Sequence, residues 1–182
     1  NELNATITDA DHLLATFRAL LRIARIESGT HDEAWTDIDL GALLHDAWEL
    51  YDAVGEEKEI TVHLGAAAGR MRGDRDLIFQ AVSNLLDNAI KYSPSGSDVR
   101  LEMRDEDGHL TIIVSDQGPG VPEAERGKVL DRFYRTATVT GIPRSGLRLS
   151  LVNAIAPHHG GQLVLADNAP GLRVMLELPK TD

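Results

Sequence analysis

Residues 98–116 contain two strand-like runs, DVRLEMR and HLTIIVSD, joined by Asp-Glu-Asp-Gly. A short polar connection between two strands predicts an antiparallel hairpin. The end of the chain, GQLVLADNAPGLRVMLELP, repeats this arrangement with a turn through Ala-Pro-Gly. Two hairpins do not fit the parallel sheet of a doubly wound fold, so this pattern narrows the choice of architecture more than any other.

Helix-like segments and two further short strands accompany the hairpins. Helices are predicted for GALLHDAWELYDAVGEEKE, GDRDLIFQAVSNLLDNAIKYSP, EAERGKVLDRF and GLRLSLVNAIA, and strands for WTDIDL and ITVHL. Asp74 stands near the start of the second helix, Pro94 follows its end, and Pro157 should shorten the last helix by about a turn. The mixed order predicts an α+β fold: a two-layer α/β sandwich whose mixed sheet is covered by helices on one face.

One amphipathic helix is predicted ahead of the sandwich, in ITDADHLLATFRALLRIARIESG, with Thr8 or Asp9 as its cap and Gly29 as its stop. Its apolar residues form one stripe at helical spacing: Leu13, Leu14, Phe17, Leu20, Leu21 and Ala24. Such a stripe must be buried, either on its own domain or against a helix from an upstream segment or a second subunit. We therefore divide the chain into this helix at 1–30, a linker at 31–36 and a domain at 37–182.

Composition excludes several functions. The 182 residues carry a formal net charge of −11 without a basic stripe, which argues against binding to duplex DNA or to an anionic membrane. The absence of cysteine excludes disulfides and thiolate metal sites. No apolar run approaches the roughly 18 residues of a membrane span. We expect no nucleic-acid partner, and a membrane attachment only through segments outside this chain.

Polar residues share one face of the second helix. Asn84, Asn88 and Lys91 are four and three residues apart, so they lie on the same side. Asparagine is a poor helix-interior residue because its side chain competes for backbone hydrogen bonds. Two asparagines with a lysine indicate oxygen ligands for a hard cation together with a phosphate partner. A solvated polar face is the simpler alternative for these three residues alone.

Two glycine-containing motifs follow strand and loop regions. Asp116-Gln-Gly118-Pro-Gly120 comes directly after the apolar run LTIIVS and predicts a tight turn with an approachable backbone. An aspartate there can accept a hydrogen bond from the exocyclic amine of adenine, although a plain turn explains the pattern equally well. The other motif, RSGLRLSLV at 144–152, places Gly146 before a helix, and helix N-termini are general anion sites.

The motifs taken together, in the order NLLDNAIKYSP, DQGPGVP, RFYR, SGLRLSLV and HHGG, resemble the ATP-binding catalytic domain of sensor histidine kinases. That domain belongs to the ATPase group shared with gyrase, Hsp90 and MutL, and the resemblance covers roughly residues 37–179. The preceding helix looks like the second helix of the family's dimerisation and phosphoacceptor hairpin, which gyrase-like relatives lack. Those relatives also place a glutamate general base where this chain has Asn84. Both differences favour the kinase branch.

The resemblance implies roles for the polar face of the second helix. Asn88 would be the Mg²⁺ ligand, Asn84 would sit near the γ-phosphate, and Lys91 would contact phosphate. Asn84 and Lys91 are therefore the expected catalytic residues. Tyr92 would pack near the nucleoside.

The resemblance also implies the remaining ATP-binding residues. Asp116 would read the adenine amine in a pocket shaped by Gly118 and Gly120. An aromatic-basic motif would precede a mobile lid at 136–145. The motif before the lid consists of Arg132, Phe133, Tyr134 and Arg135, of which Phe133 and Arg135 are expected to contact ATP. After the lid, Gly146, Leu147 and Arg148 are expected to do so.

The activity implied is that of a protein-histidine kinase using ATP and Mg²⁺. The γ-phosphate would pass to a histidine on an upstream helix and then to an aspartate of a response regulator receiver domain, chemistry that depends mainly on positioning and charge neutralisation. The family also implies a homodimer through the N-terminal helical hairpin. The chain would then be the cytoplasmic portion of an inner-membrane sensor protein.

The chain departs from the family pattern in two places. No histidine followed by an acidic residue and Thr-Pro is present, so the phosphoacceptor lies upstream of Asn1 or is absent. Counted from RFYR, the family's Gly-Ser-Gly-Leu-Gly-Leu register reaches Arg144-Ser-Gly146-Leu-Arg148-Leu. Arg148 must therefore point away from the site, crowd the triphosphate or contact a phosphate as a cation.

Two functions stay open from the sequence. The first is a kinase core that binds Mg·ATP. The second is a degenerate family member that has lost nucleotide binding and acts as a dimerising signalling or interaction module, because its second glycine box carries Arg144 and Arg148.

Overall fold

The computed structural model describes residues 17–18, 21–28, 35–131 and 147–180 of the chain. Its strands are β1 (Trp35–Asp39), β2 (Thr61–Leu64), β3 (Arg70–Asp74), β4 (Asp98–Glu106), β5 (His109–Ser115), β6 (Gln162–Asp167) and β7 (Leu172–Pro179). Its helices are α1 (Leu40–Glu56), α2 (Arg75–Tyr92), α3 (Glu123–Arg126) and α4 (Arg148–His158), with a 3₁₀ turn at Lys128–Leu130. The strand β1 includes Trp35 and Thr36, which the division of the sequence assigned to the linker.

The principal sheet has five strands in the order β2-β4-β5-β7-β6. Both predicted hairpins, β4–β5 and β6–β7, are confirmed as antiparallel pairs, and β5 also pairs antiparallel with β7. The edge strand β2 runs parallel to β4, so the sheet is mixed, as predicted. Asp107 and Gly108 connect β4 to β5 with φ of 52° and 79°, the paired positive values of a tight hairpin turn.

The core lies between the helices and one face of this sheet. Every second residue of the central strands is buried and belongs to one apolar cluster with α1, α2 and α4: Val99, Leu101 and Met103 of β4, and Val174, Leu176 and Leu178 of β7. The alternate residues, such as Arg100, Arg104 and Glu177, lie on the opposite and more polar face. This alternation is that of a sheet covered on one side, and the predicted two-layer α+β sandwich is confirmed.

A second, two-stranded sheet was missed by the sequence analysis. β1 pairs antiparallel with β3, and Ile38 opposes Met71. Both of these side chains are buried in the core. The segment Arg-Met-Arg-Gly-Asp has one apolar residue and no run that would predict a strand, so its pairing with β1 depends on tertiary contacts.

Of the predictions about helix ends, that for the start of α2 is confirmed and that for the end of α4 is wrong. Asp74 is the N-cap of α2, and its Oδ1 accepts hydrogen bonds from the Asp76 and Leu77 amides at 3.0 and 3.1 Å. Pro157 does not shorten α4, which continues to His158. A proline this close to the end removes only one intrahelical hydrogen bond, and the His159 amide still closes the helix on Ile155 and Ala156.

The buried side of the N-terminal helical segment is not the apolar stripe that the sequence predicted. Residues 21–27 are helical, and Ile23 and Ile26 are buried in the same cluster as the sandwich core. Among the stripe residues that the structure describes, Phe17 is 58% exposed and Leu21 is 45% exposed. The stripe therefore does not lie on the domain at these positions. The predicted cap and stop of this helix, with Leu13, Leu14 and Leu20, fall outside the described residues.

Within the described ranges, no helix is both long enough and apolar enough to cross a bilayer.

Candidate functional site

Asp116 follows β5 and is the most constrained polar residue of the candidate site. Its side chain is 6% exposed, and its Oδ1 accepts hydrogen bonds from the Gly118 amide at 2.8 Å and the Leu172 amide at 3.1 Å. Burial raises the pKa of this carboxyl, while the two amide bonds act in the opposite direction. Because both bonds end on Oδ1, Oδ2 is the oxygen available to an amine donor of a ligand.

The β6–β7 turn holds Asp116 in place, and the sequence analysis did not identify it as part of the site. Asn168 donates from Nδ2 to the Asp116 carbonyl oxygen at 2.8 Å and accepts from Arg173 Nη2 at 3.1 Å. A Cβ on Gly171 would lie 1.9 Å from that same carbonyl oxygen, so only glycine permits this approach. The Asn-Ala-Pro-Gly sequence predicted a turn, but nothing in it indicated that Asp116 lies beside it.

The glycines after Asp116 bring α2 to the same place. A Cβ on Gly118 would lie 2.7 Å from the Tyr92 carbonyl oxygen, which ends α2. Gly120 has φ of +70° and faces the Gly171 carbonyl oxygen. The turn at 116–120 is therefore packed between the end of α2 and the β6–β7 turn. This arrangement places Tyr92 next to the Asp116 turn.

The polar face predicted for α2 is half-buried. Asn84, Asn88 and Lys91 are partly covered, whereas the apolar residues between them, Leu85, Leu86, Ala89 and Ile90, are buried in the core. The Asn84 Nδ2 group is buried and has no hydrogen-bond partner among the described residues. An unsatisfied buried polar group costs roughly 1–3 kcal/mol, which a ligand accepting that hydrogen bond would recover.

Lys91 also lines an open depression at the end of α2. The depression has a volume of about 450 Å³, and Lys91 shares its lining with Glu57, Lys58, Glu59, Ile90, Ser93 and Ser95. This depression contains neither Asp116 nor the two asparagines. Lys91 therefore borders both the polar face of α2 and a separate surface of mixed charge.

The start of α4 contributes Leu147 and Arg148. Leu147 is buried and precedes the helix without any side-chain cap on the first α4 amides. Uncapped N-terminal amides favour an anion. Arg148 Nη2 lies 2.6 Å from Asp87 Oδ2, so its side chain points to α2. The sequence left three orientations open for Arg148: away from the site, against the triphosphate, or in contact with a phosphate. In the structure, its guanidinium contacts a carboxylate of the neighbouring helix.

α2 connects the two ends of the candidate site. Its last residue, Tyr92, adjoins the Asp116 turn, and Asp87 meets the first residue of α4. The five residue steps from Asp87 to Tyr92 span about 7.5 Å along the helix axis. The predicted residues Phe133, Arg135 and Gly146 lie outside the described part of the chain, as do Arg144 and the lid at 136–145.

Among its described residues, the candidate site offers few side chains that could ligate a metal. Within residues 17–18, 21–28, 35–131 and 147–180, no three histidine, aspartate or glutamate side chains come together to hold a metal ion. Mg²⁺ in phosphoryl-transfer sites commonly takes one or two protein oxygens and completes its shell with phosphate and water. The amide oxygen of Asn88 can be such a ligand.

Residues 73–182 match the family described as histidine kinase-, DNA gyrase B-, and HSP90-like ATPase. The signal transduction histidine-protein kinase/phosphatase MprB of Mycobacterium leprae (strain TN) is 38% identical over 144 residues, which cover 74% of this chain and 28% of that protein. The chain therefore spans little more than a quarter of that relative's length.

Solved structures show the same fold. The mycobacterial sensor histidine kinase MprB has a TM-score of 0.71 at 32% identity, over 80% of this chain and 97% of that chain. Full-length ShkA in complex with AMPPNP has a TM-score of 0.84 at 24% identity, over 100% of this chain and 39% of that chain. The second likeness is evidence for the fold only.

Proposed function

Because the chain belongs to the histidine kinase-, DNA gyrase B- and HSP90-like ATPase family, in its sensor histidine kinase branch, we propose that it binds Mg·ATP and supplies the γ-phosphate to a histidine on an upstream helix. The phosphate then passes to an aspartate of a response regulator receiver domain. The chain is the catalytic core of a two-component signalling protein.

The observation that carries nucleotide binding is the buried Asp116 carboxylate. Two backbone amides occupy its Oδ1, and three segments of the chain hold it: the glycine turn, the end of α2 and the β6–β7 turn. A rigid acceptor with one oxygen available matches the exocyclic amine of adenine. Gly118 and Gly120 shape the pocket, and Tyr92 packs near the nucleoside.

The phosphates lie towards α4 in this proposal. Asn88 would supply an oxygen to Mg²⁺, and the bound ion would neutralise developing charge on the transferred group. Asn84 and Lys91 lie near the phosphates, and the uncapped amides of α4 at Leu147 and Arg148 favour their negative charge. The buried Nδ2 of Asn84, which has no hydrogen-bond partner among the described residues, supports this assignment. Phe133, Arg135 and Gly146 complete the proposed contacts.

The N-terminal segment at 1–30 is proposed to be the second helix of the dimerisation and phosphoacceptor hairpin. The exposure of Phe17 and Leu21 supports a partner helix for this face. The acceptor in this proposal is a histidine on the first helix of that hairpin. We propose that the chain is the cytoplasmic part of an inner-membrane sensor.

Calorimetric titration of the chain with Mg²⁺ and ATP tests the proposal. Saturable binding is expected, and Asp116→Asn should weaken it roughly 10- to 100-fold, because a hydrogen bond to a charged acceptor is lost. Asp37→Asn, an exposed position on β1, is the control and should bind like the parent.

The competing function is a dimerising module that has lost nucleotide binding. Its supporting observation is Arg148, which stands where the family has the glycine at the start of α4. No saturable binding at millimolar ATP would favour this function and refute the kinase proposal. Unchanged affinity in Asp116→Asn would refute the adenine role alone.

A further inference from the structure

Arg148 and Asp87 form an ion pair between the two helices that border the candidate phosphate region. Arg148 is the first residue of α4, and its Nη2 lies 2.6 Å from Asp87 Oδ2. Asp87 directly precedes Asn88 on α2. The pair therefore stands beside the residue proposed to hold Mg²⁺ and at the uncapped start of α4.

A third helix contributes to this cluster through Tyr51 of α1. Burial raises the pKa of the Tyr51 phenol, the Asp87 carboxylate raises it further, and the Arg148 guanidinium lowers it. Both charges are therefore close enough to act on one phenol. These three side chains are the titratable and charged groups of the cluster, one from each of α1, α2 and α4.

The exposure of the pair limits its strength. The Arg148 side chain is 41% exposed and that of Asp87 is 32% exposed. Ion pairs of this kind change an equilibrium constant by about fivefold at most, because solvent screens them and two long side chains must be ordered. A di- or triphosphate bound at the uncapped start of α4 carries several negative charges, so it attracts the guanidinium more strongly than a single carboxylate does. A phosphate can therefore take the guanidinium from Asp87.

We propose that Arg148 is a phosphate-binding residue that Asp87 holds in the nucleotide-free protein, so that an incoming di- or triphosphate displaces Asp87 from the guanidinium. The inference rests on the proposed nucleotide binding at this site. The exchange explains how an arginine is accommodated where the family has a glycine. The long side chain is drawn to α2, away from the helix start, until a phosphate arrives. The fork-shaped guanidinium then replaces part of the backbone approach that a glycine permits.

The exchange also determines which ligands benefit from Arg148. Only a ligand with phosphates at the start of α4 gains the guanidinium contact, so adenosine should bind without any contribution from it. Because the Arg148 guanidinium contacts diphosphates and triphosphates alike, it raises the affinity for both. The site is therefore expected to favour ATP and ADP over adenosine by the strength of this contact.

The test is a double-mutant cycle on the whole chain, with ATP affinity measured by calorimetry in the parent, Asp87→Asn, Arg148→Gln and the double variant. Asp87→Asn should tighten ATP binding by up to about fivefold, since the resting partner is gone. Arg148→Gln should weaken it about tenfold or more. In the Arg148→Gln background, Asp87→Asn should have no effect. Adenosine affinity should be the same in all four proteins.

A second exposed ion pair provides the matched control. Arg75 Nη2 lies 2.7 Å from Asp46 Oδ2, and both side chains are about half exposed. Asp46→Asn should leave ATP affinity unchanged, which separates the proposed exchange from a general effect of removing surface charge.

Two results would overturn the exchange. One is an equal gain from Asp87→Asn in the Arg148→Gln background, since Asp87 would then repel the nucleotide directly. The other is unchanged or tighter ATP binding in Arg148→Gln. If the parent binds no ATP, the proposed function fails. The exchange is then judged by Asp87→Asn alone: recovered binding supports it, and continued absence of binding refutes it.

Titration of Tyr51 gives a readout that is independent of affinity. In the nucleotide-free chain, Asp87→Asn should lower the pKa of Tyr51, and Arg148→Gln should raise it. Adding saturating ATP should raise the pKa of Tyr51 more in the parent than in Arg148→Gln, because only in the parent does a guanidinium also leave its neighbourhood. The absence of such a difference, despite measured binding, would refute the movement of Arg148.

Discussion

His159 shows how one residue joins distant segments of this fold. It is 2% exposed, its Nδ1 donates to the Ile155 carbonyl at 2.9 Å, and its Nε2 accepts from the Asp74 amide at 3.1 Å. Its ring stacks on that of Trp35 with centroids 5.4 Å apart. Because Nε2 accepts a hydrogen bond, the ring is neutral with its proton on Nδ1. If Nε2 were protonated, its N–H would face the N–H of Asp74, and the hydrogen bond between them would be lost.

The neutral state of His159 predicts a dependence of stability on pH. Burial lowers the pKa of His159 below the usual 6.5, with His158 lowering it further and Asp74 raising it. The unfolded chain therefore binds this proton more readily than the folded protein. The contribution of neutral His159 to the free energy of unfolding is fully present above pH 6.5. It is lost as the pH falls towards the lowered pKa that His159 has in the folded protein. Stability should thus decrease on acidification through this group.

Urea unfolding of the parent and of His159→Gln between pH 8 and pH 5 measures this effect. The parent should be the more stable protein at pH 8, and the difference in the free energy of unfolding should narrow as the pH falls. His109→Gln, at an exposed position, should show no such narrowing. A difference for His159→Gln that stays constant with pH would contradict the prediction.

At the scale of elements, the described part of the N-terminal segment has one buried side and one exposed apolar side. Ile23 and Ile26 are buried in the sandwich core, while Phe17 and Leu21 are exposed. An amphipathic helix gains most of its stability from packing, so exposed apolar positions indicate a missing neighbour. A second copy of the chain, or the preceding helix of the proposed hairpin, fits that face.

Sedimentation of the chain and of the double variant Phe17→Glu, Leu21→Glu tests this face. Self-association should weaken in the variant because charges replace the apolar contact, and the free energy of unfolding should change little because both positions are exposed. Ile23→Glu is the contrasting variant and should destabilise the domain by several kcal/mol, since it buries an unpaired charge. Equal association of the parent and the double variant would contradict the proposed contact.

At the scale of the whole molecule, the candidate site combines α2, the end of β5, the β6–β7 turn and the start of α4. Opening any of these elements disrupts the site, so nucleotide binding should stabilise the entire domain. At a free Mg·ATP concentration of about 100 times Kd, the expected gain is about 2.7 kcal/mol. Thermal unfolding with and without nucleotide measures it. Binding seen by calorimetry without a rise in Tm would contradict this assembly.

Local patterns in the sequence were sufficient to predict the family and most of the elements, β3 excepted. The two hairpins follow from strand-like runs separated by short turns, and α2 follows from apolar spacing between Asp74 and Pro94. These signals act between residues close in the chain, so they are readable without a structure. The order of the motifs in α2, after β5 and at the start of α4 predicted the family, and the preceding helix together with Asn84 favoured its kinase branch.

Only the tertiary structure decided which elements meet. Asp116 binds the Leu172 amide, 56 residues away along the chain, because β7 pairs with β5 rather than remaining at the edge with β6. The same kind of long-range packing sets β3 beside β1 and Arg148 against Asp87. No local spacing encodes these partners, because they depend on the order of the strands and on how α4 packs against α2. The sequence therefore predicted residues for the candidate site, and the three-dimensional packing decided which atoms the described ones contact.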